Sequence, residues 1–281
     1  MDIKEIKGAH KVLGELNYEV SPLEKGYTDK ILYVNVSDNS FKIKDADPIM
    51  KEKFIGGKGY GMRLLWDATT PETKWDDAEN EIVISSGPIG GITQYSGTGK
   101  SLVVTLSPAS GSVTDSNAGG YFGPFVKFSG FDAIELQGKA DKDIIIVIDG
   151  TTGRVSIEEA PLEPMDSHQL SEVLTEMYAD EGKQVNVSVV SSGMAAENSW
   201  VGMLNFSFYD KKKGRVRLKQ AGRGGTGTVE GAGQRGSCTR KQGIQQWKLP
   251  ASCRQRIDFQ RWYDWQTAAP LHWSPGSRTV G

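Results

Sequence analysis

The chain has 281 residues, a net charge of −2, 24% charged and 37% hydrophobic residues, which is ordinary for a soluble globular protein. Its 34 glycines are about 12% of the chain, where about 7% is usual. No apolar run approaches the roughly 20 residues of a membrane span, and the charged opening MDIKEIKGAHK has no signal-peptide core. The two cysteines, Cys238 and Cys253, make neither a disulfide framework nor a four-thiolate cluster site, so a reducing, cytoplasmic setting is expected.

Residues 1–27 are weakly patterned and read as an irregular N-terminal arm. Lys30 to Val36 and Ser40 to Ile43 flank the Asp38-Asn39 turn and predict a hairpin. Asp47-Pro48 is a helix-start signal. FIGGKGY, Phe54 to Tyr60, is a glycine-rich turn, and Met62, Leu65 and Trp66 suggest a helix after it. Ile82 to Ile84 predicts a buried strand that stops at Gly87-Pro88.

Gly97-Thr98-Gly99-Lys100-Ser101 superficially offers a P-loop. The motif needs a glycine where Gln94 stands and a helix where LVVTL, Leu102 to Leu106, reads as a strand, so the P-loop is rejected. Lys100 is then either a surface lysine in a turn or a cation aimed at a ligand phosphate.

The most distinctive stretch is Ser107 to Lys139, which contains Asn117-Ala118-Gly119-Gly120 followed by Tyr121, Phe122, Phe125 and Phe128 at helical spacing. Adjacent glycines let a backbone approach a bulky ligand and expose N–H groups, and a helix N-terminus beside them suits phosphate. The same pattern also fits a tight turn before a helix that buries its aromatics. Strands are predicted at Asp132 to Leu136, Ile144 to Ile148, Arg154 to Ile157 and Val185 to Val190. A helix capped by Ser167 is predicted through Ala179, with His168 solvated in its first turn; Glu197 reads as a turn or cap acid. Gln220 to Thr228, QAGRGGTGT, is a third glycine-rich loop, flanked by Lys219 and carrying Arg223. Cations around exposed N–H groups suit an anion, and a basic surface loop has the same composition.

Five segments, in this order and spacing, resemble the N-terminal domain of the aldehyde:ferredoxin oxidoreductase family of tungsten-pterin enzymes. They are FIGGKGYGMRLLWD (Phe54–Asp67), SGPIGG (Ser86–Gly91), TDSNAGGYFGPFVKFSGFDAIELQGKA (Thr114–Ala140), GMAAEN (Gly193–Asn198) and AGRGGTGTV (Ala221–Val229). The resemblance covers 28–229 and implies an α+β fold, a mostly β domain with a few packed helices; the tail after it, with little periodicity, is expected to be disordered. It implies a tungsten (or molybdenum) bis-pterin cofactor with Mg2+ bridging the pterin phosphates. By position, Lys100, Asn117, Gly119, Gly120, Lys219, Gln220, Gly222 and Arg223 correspond to cofactor contacts, and Asn117 and the carbonyl of Gln220 to ligands of the magnesium. Lys100 and Lys219 stand where arginine is common, and Gln220 where alanine is common. Lysine keeps the charge and loses the bidentate fork.

The resemblance stops near Val229. Residues 230–281 hold 8 Lys+Arg against 3 acids, while 1–229 hold 25 against 32. Both cysteines and four of the seven tryptophans lie in this tail. It reads as a non-homologous, frameshifted end on a truncated gene, ahead of a basic nucleic-acid-binding tail or a metal site built on Cys238 and Cys253. The family implies oxidation of a small aldehyde to a carboxylic acid, with electrons leaving through a [4Fe–4S] cluster to ferredoxin or an electron-transfer subunit. A homodimer is compatible with it, and neither nucleic acid nor membrane is expected as a partner. The cluster cysteines of the family have no counterpart here, no catalytic acid–base pair stands out, and the fragment alone is expected to be inactive. The alternative is a cofactor-binding or assembly subunit completed by a separate chain with the missing domains.

Overall fold

A computed structural model describes residues 3–92, 97–159, 165–194 and 204–221, together with the backbone of 244–248. Two sheets face each other. One is six-stranded in the order β3-β2-β7-β4-β5-β6, and the other is seven-stranded in the order β1-β9-β8-β13-β10-β11-β12. The first comprises β2 (Lys30–Asn35), β3 (Ser40–Asp45), β4 (Glu81–Ser85), β5 (Ser101–Leu106), β6 (Val113–Ala118) and β7 (Ala133–Gln137). The second comprises β1 (Lys11–Asn17), β8 (Ile144–Asp149), β9 (Arg154–Glu159), β10 (Val189–Ser191), β11 (Asn205–Asp210), β12 (Arg215–Gln220) and β13 (Ile244–Lys248).

The two-residue period of a strand sorts the side chains into layers. Leu32, Val34, Ile82, Ile84 and Val103 from one sheet meet Ile144, Ile146, Ile148, Val155 and Ile157 from the other in the central core. Helix α4 (Phe122–Phe128) lies in that same core through Phe122, Phe125 and Val126. The alternate residues face outward and are covered by helices. Ile31, Val83, Val104 and Ala133 pack under α2 (Pro48–Phe54) and α3 (Lys58–Ala68) through Met50, Tyr60, Leu64 and Leu65. Ile145, Val187 and Val189 pack under α5 (Ser167–Tyr178) through Leu170, Leu174 and Met177, and Ile3 and Ile6 of α1 (Ile3–Gly8) join them. The arrangement is a β sandwich with helices on both outer faces, a mostly β member of the α+β class as expected.

The β2–β3 hairpin and the helix start at Asp47 are present; the Asp47 carboxylate accepts the Ile49 N–H at 2.9 Å. The strands predicted at 82–84, 102–106, 144–148 and 154–157 form as β4, β5, β8 and β9. Four expectations change. The stretch 185–190, predicted as one strand, is a 3-10 turn at Gln184–Asn186 followed by the short strand Val189–Ser191. The N-terminal stretch is not an irregular arm, because Lys11–Asn17 pairs antiparallel with β9. The α5 cap is Asp166 rather than Ser167, its carboxylate accepting the N–H groups of His168 and Gln169 at 2.7 and 2.9 Å. Finally, Ile244–Lys248, inside the tail expected to be unstructured, runs parallel to β8 and antiparallel to β10. Glu197 lies outside the described residues.

Candidate functional site

The site is built at the open end of the β5–β6 hairpin. Leu102 pairs with Asn117 and Ser101 with Ala118, so Lys100 and Gly119 leave the sheet side by side. The ammonium of Lys100 donates to Oδ1 of Asn117 at 3.2 Å, and both side chains are exposed. The turn before Lys100 closes on the turn after Asn117. A Cβ on Gly99 would lie 2.2 Å from the Gly120 carbonyl oxygen, so only glycine allows this approach. Gly120 has φ +123°, and a Cβ on Gly119 or Gly120 would meet nothing within 4 Å. Their backbone faces open space.

Two further turns are stitched to the same place. The Gly91 N–H donates to the Thr98 carbonyl at 3.0 Å, and the Ser86 hydroxyl donates to the Lys100 carbonyl at 3.3 Å. The Gly57 N–H donates to the Ser86 carbonyl at 3.1 Å, while the Ser85 hydroxyl donates to the Gly57 carbonyl at 2.7 Å. The turns at 54–57, 86–91, 97–100 and 117–120 therefore form one connected assembly. Asp115, two residues before Asn117, is paired with Lys58 at 2.8 Å, so its charge is neutralised.

The seven-stranded sheet contributes β12. Lys219 pairs with Phe206 and Gln220 with Asn205, and both Lys219 and Gln220 are exposed. The Lys219 ammonium sits 5.7 Å from the centre of the Phe208 ring, a cation–π distance. Phe208 meets Tyr121 edge-on at 5.8 Å, and Phe206 meets Phe122 at 5.3 Å. Tyr121 and Phe122 directly follow Gly120. The aromatic run after the glycines thus serves both readings: it packs the core, and it ties the end of β12 to the Lys100–Asn117 rim. Gly222 and Arg223 lie outside the described residues.

Chain order did not single out two nearby residues. Lys58 was visible only as part of a glycine-rich turn. Lys127 is 1% exposed in α4, and its ammonium donates to the Gly87 carbonyl beneath the 86–91 turn. Its one available signal was a lysine on an otherwise aromatic helix face, GPFVKF. Burial is the main reason its pKa falls to about 8; the Asp132 carboxylate works in the opposite direction.

Among the described residues, no group of three or more His, Cys, Asp and Glu is placed to hold a metal ion. No helix among them is long and apolar enough to cross a membrane.

Residues 31–234 match the family described as aldehyde ferredoxin oxidoreductase, N-terminal domain. The tungsten-containing aldehyde ferredoxin oxidoreductases of Pyrococcus horikoshii and Pyrococcus furiosus are each 33% identical over 210 residues, covering 74% of this chain and 32% of theirs. A Pyrococcus furiosus protein named aliphatic sulfonate oxidoreductase, WOR-like subunit, is 31% identical over 139 residues, which is 48% of this chain and 21% of that one. Among solved structures, the active site complex BamBC of benzoyl coenzyme A reductase shares the fold, with a TM-score of 0.64 and 24% identity over 80% of this chain and 31% of that one. The chain spans about a third of the length of the curated relatives it matches. With 31–234 matched and the sandwich and its glycine turns in place, the chain belongs to the aldehyde ferredoxin oxidoreductase family, through that family's N-terminal domain.

Proposed function

We propose that this chain is the cofactor cradle of a tungsten-pterin aldehyde:ferredoxin oxidoreductase. The observation that carries the reading is the exposed Lys100–Asn117 pair beside the open backbone of Gly119 and Gly120, where four turns converge. The donor set fits a phosphorylated ligand. Two exposed lysines, Lys100 and Lys219, offer charge, and two adjacent glycines offer N–H groups without side chains in the way. A magnesium ion would, in this reading, be held through neutral oxygens, Oδ1 of Asn117 and the carbonyl of Gln220, and Oδ1 would then give up the Lys100 ammonium it accepts here.

In this reading Lys100 and Lys219 bind and neutralise the pterin phosphates. Asn117 fixes their orientation, with Gly222 and Arg223 as further contacts. The aromatic contact of Tyr121 with Phe208 holds the two halves of the cradle in register. When bound, the tungsten-pterin centre would supply the two-electron oxidation of an aldehyde to a carboxylic acid, with water giving the oxygen atom, two protons released and the two electrons leaving through a [4Fe–4S] cluster to ferredoxin. Such a cluster takes four thiolates, and the sequence holds two cysteines. The 281 residues by themselves are therefore proposed to carry no aldehyde oxidation.

A second reading keeps the cradle and makes the chain one subunit, completed by another polypeptide. It is favoured by Ile55 and Ile89, 62% and 57% exposed on two of the converging turns. Tungsten and pterin analysis decides between these readings. The chain is purified anaerobically from a tungstate-supplied host, alone and with the remaining domains of a relative. Tungsten and fluorescent pterin in either preparation, reduced several-fold by Lys100→Gln, support the cradle, and retention only with the added domains supports the subunit form. Neither metal nor pterin in both preparations sinks the cradle.

A further inference from the structure

The cradle has a charge behind it. Lys127 is carried by α4, whose neighbouring residues Phe122, Phe125 and Val126 fill the central core. An ammonium in such surroundings is disfavoured unless it is paired or used. Among the described residues no carboxylate lies within ion-pair distance of it. The nearest acid that influences it is Asp132, whose two oxygens already accept the Thr28 and Asp29 N–H groups at 3.0 and 2.9 Å. The direct partner of Lys127 is a backbone oxygen, the Gly87 carbonyl. A Cβ on Gly90 would lie 3.4 Å from the Lys127 nitrogen and 2.3 Å from the Ser86 hydroxyl oxygen, so the turn is wrapped closely around the ammonium.

From that turn the contacts lead straight to the rim. Ser86 holds the Lys100 carbonyl, Gly91 holds Thr98, and Gly99 abuts Gly120. A methionine would fill the same volume without burying charge, so the lysine is best explained by what its charge does.

We propose that Lys127 is the positioning residue of the cradle: its buried ammonium clamps the 86–91 turn from beneath and supplies the positive potential that favours an anion at the Lys100–Asn117 rim. This rests on the phosphate-binding reading of that rim. An interior charge is weakly screened, so it acts on a rim anion without touching it. The link is reciprocal: an anion at the rim favours the charged lysine, and loss of the proton weakens the anion. Burial brings the lysine to about 8, so the coupling is readable in an accessible range. The charged group that acts on it is Asp132.

The test uses the 281-residue chain, with pyrophosphate as the probe followed by calorimetry from pH 6.5 to 9.5. A parallel arm follows amide hydrogen exchange of 86–91 and 97–100 without any anion. Wild-type affinity is expected to fall by about tenfold as pH passes 8, the size of one charge-assisted contact. Lys127→Met should bind about tenfold more weakly at pH 7 and show no such fall, with faster exchange in both turns and unchanged exchange in β8 and β9. Lys127→Arg, which stays charged throughout, should restore binding at pH 7 and remain flat through pH 9.

A Lys127→Met chain with wild-type affinity, pH profile and exchange overturns the proposal. If Lys127→Met does not fold, Lys127→Arg decides through its pH profile, and a fall at pH 8 in that variant overturns the charge role. A wild-type chain that binds no pyrophosphate overturns the phosphate reading and the charge role with it. The exchange arm then still decides the clamp: unchanged exchange overturns it, and accelerated exchange supports it.

Discussion

At the scale of single residues, the sharpest features are groups held against their ordinary preference. Glu81 is 1% exposed on β4 and lies beside the equally buried Glu135, which is paired with Lys44. Burial, and then the Glu135 carboxylate, push Glu81 up to about 9 from an ordinary 4.5. At neutral pH it is a neutral acid that can donate to Glu135. The sign of the linkage follows. Between 4.5 and 9 the folded protein keeps a proton that the unfolded chain has released, so this group's contribution is whole below 4.5 and is lost as pH rises towards 9. Glu81→Gln keeps the shape and the donor and is neutral in both states. It should flatten that slope and raise stability at pH 8 by roughly 1–3 kcal/mol, read from urea midpoints across a pH series. A mutant with an unchanged slope would assign the pH dependence to another group. Ile55 is held in a different strain. Its φ of +64° and ψ of −51°, with the Gly56 N–H donating to the Phe54 carbonyl at 2.6 Å, make a γ-turn of the rare strained kind. Its side chain is 62% exposed, so Ile55→Gly loses little packing and should stabilise by about 1 kcal/mol, measured as a rise in midpoint. None of these was visible in the sequence. A glutamate in a strand looks solvated until the loop over it is placed, and an isoleucine gives no hint of a positive φ.

At the scale of elements, the close approach of two turns makes a prediction that separates folding from binding. Gly99 and Gly119 both sit in glycine-rich stretches and look alike in sequence. A Cβ on Gly99 would strike the Gly120 carbonyl at 2.2 Å, while one on Gly119 meets nothing within 4 Å. Gly99→Ala should therefore destabilise by about 1–3 kcal/mol as the turns are forced apart. Gly119→Ala should melt as the wild type does and, if the cradle reading holds, lose pyrophosphate affinity because a methyl group now covers the open backbone. Equal melting of the two variants would show that the turns do not press on each other. Much at this scale was legible beforehand. The β2–β3 hairpin, β4, β8, β9 and the helix start at Asp47 carry local signals: alternation or a short apolar run, a turn pair, and an aspartate before proline. The turns at 54–60 and 117–120 were legible too, and Lys100 with Asn117 does meet at the rim, while the third glycine loop lies outside the described residues from Gly222 onward. Less legible was β6. Val113–Ala118 is short, hydroxyl-rich and half exposed, and it is a strand because β5 offers it an edge. Segment β1 is the same case against β9. Propensity is weak there and non-local pairing decides.

At the scale of the whole molecule, the question is what closes the seven-stranded sheet. Its order places β13 between β8 and β10, so a five-residue segment from the basic tail joins the β1-β9-β8 half to the β10-β11-β12 half. The sequence there, Ile-Gln-Gln-Trp-Lys, has little apolar alternation and lies beyond the stretch in which the family resemblance was recognised, although the family match itself runs to residue 234. A strand of such composition is selected by position: β8 and β10 would otherwise present two unpaired edges to solvent. Gln245 pairs with Ile146 on one side and Val190 on the other. Proline at that position removes the backbone donor and fixes φ in a strand with neighbours on both sides, which central strands do not tolerate. Gln245→Pro should lower the thermal midpoint by roughly 5 °C or more, with faster amide exchange concentrated in β8 and β10. The six-stranded sheet, with which β13 makes no strand pairing, should keep its protection, and so should the Lys100–Asn117 rim it carries. If the variant melts and exchanges as the wild type does, Ile244–Lys248 is not part of the sheet, and the two halves are held together by the central core and by α5, which packs on both Ile145 of β8 and Val189 of β10.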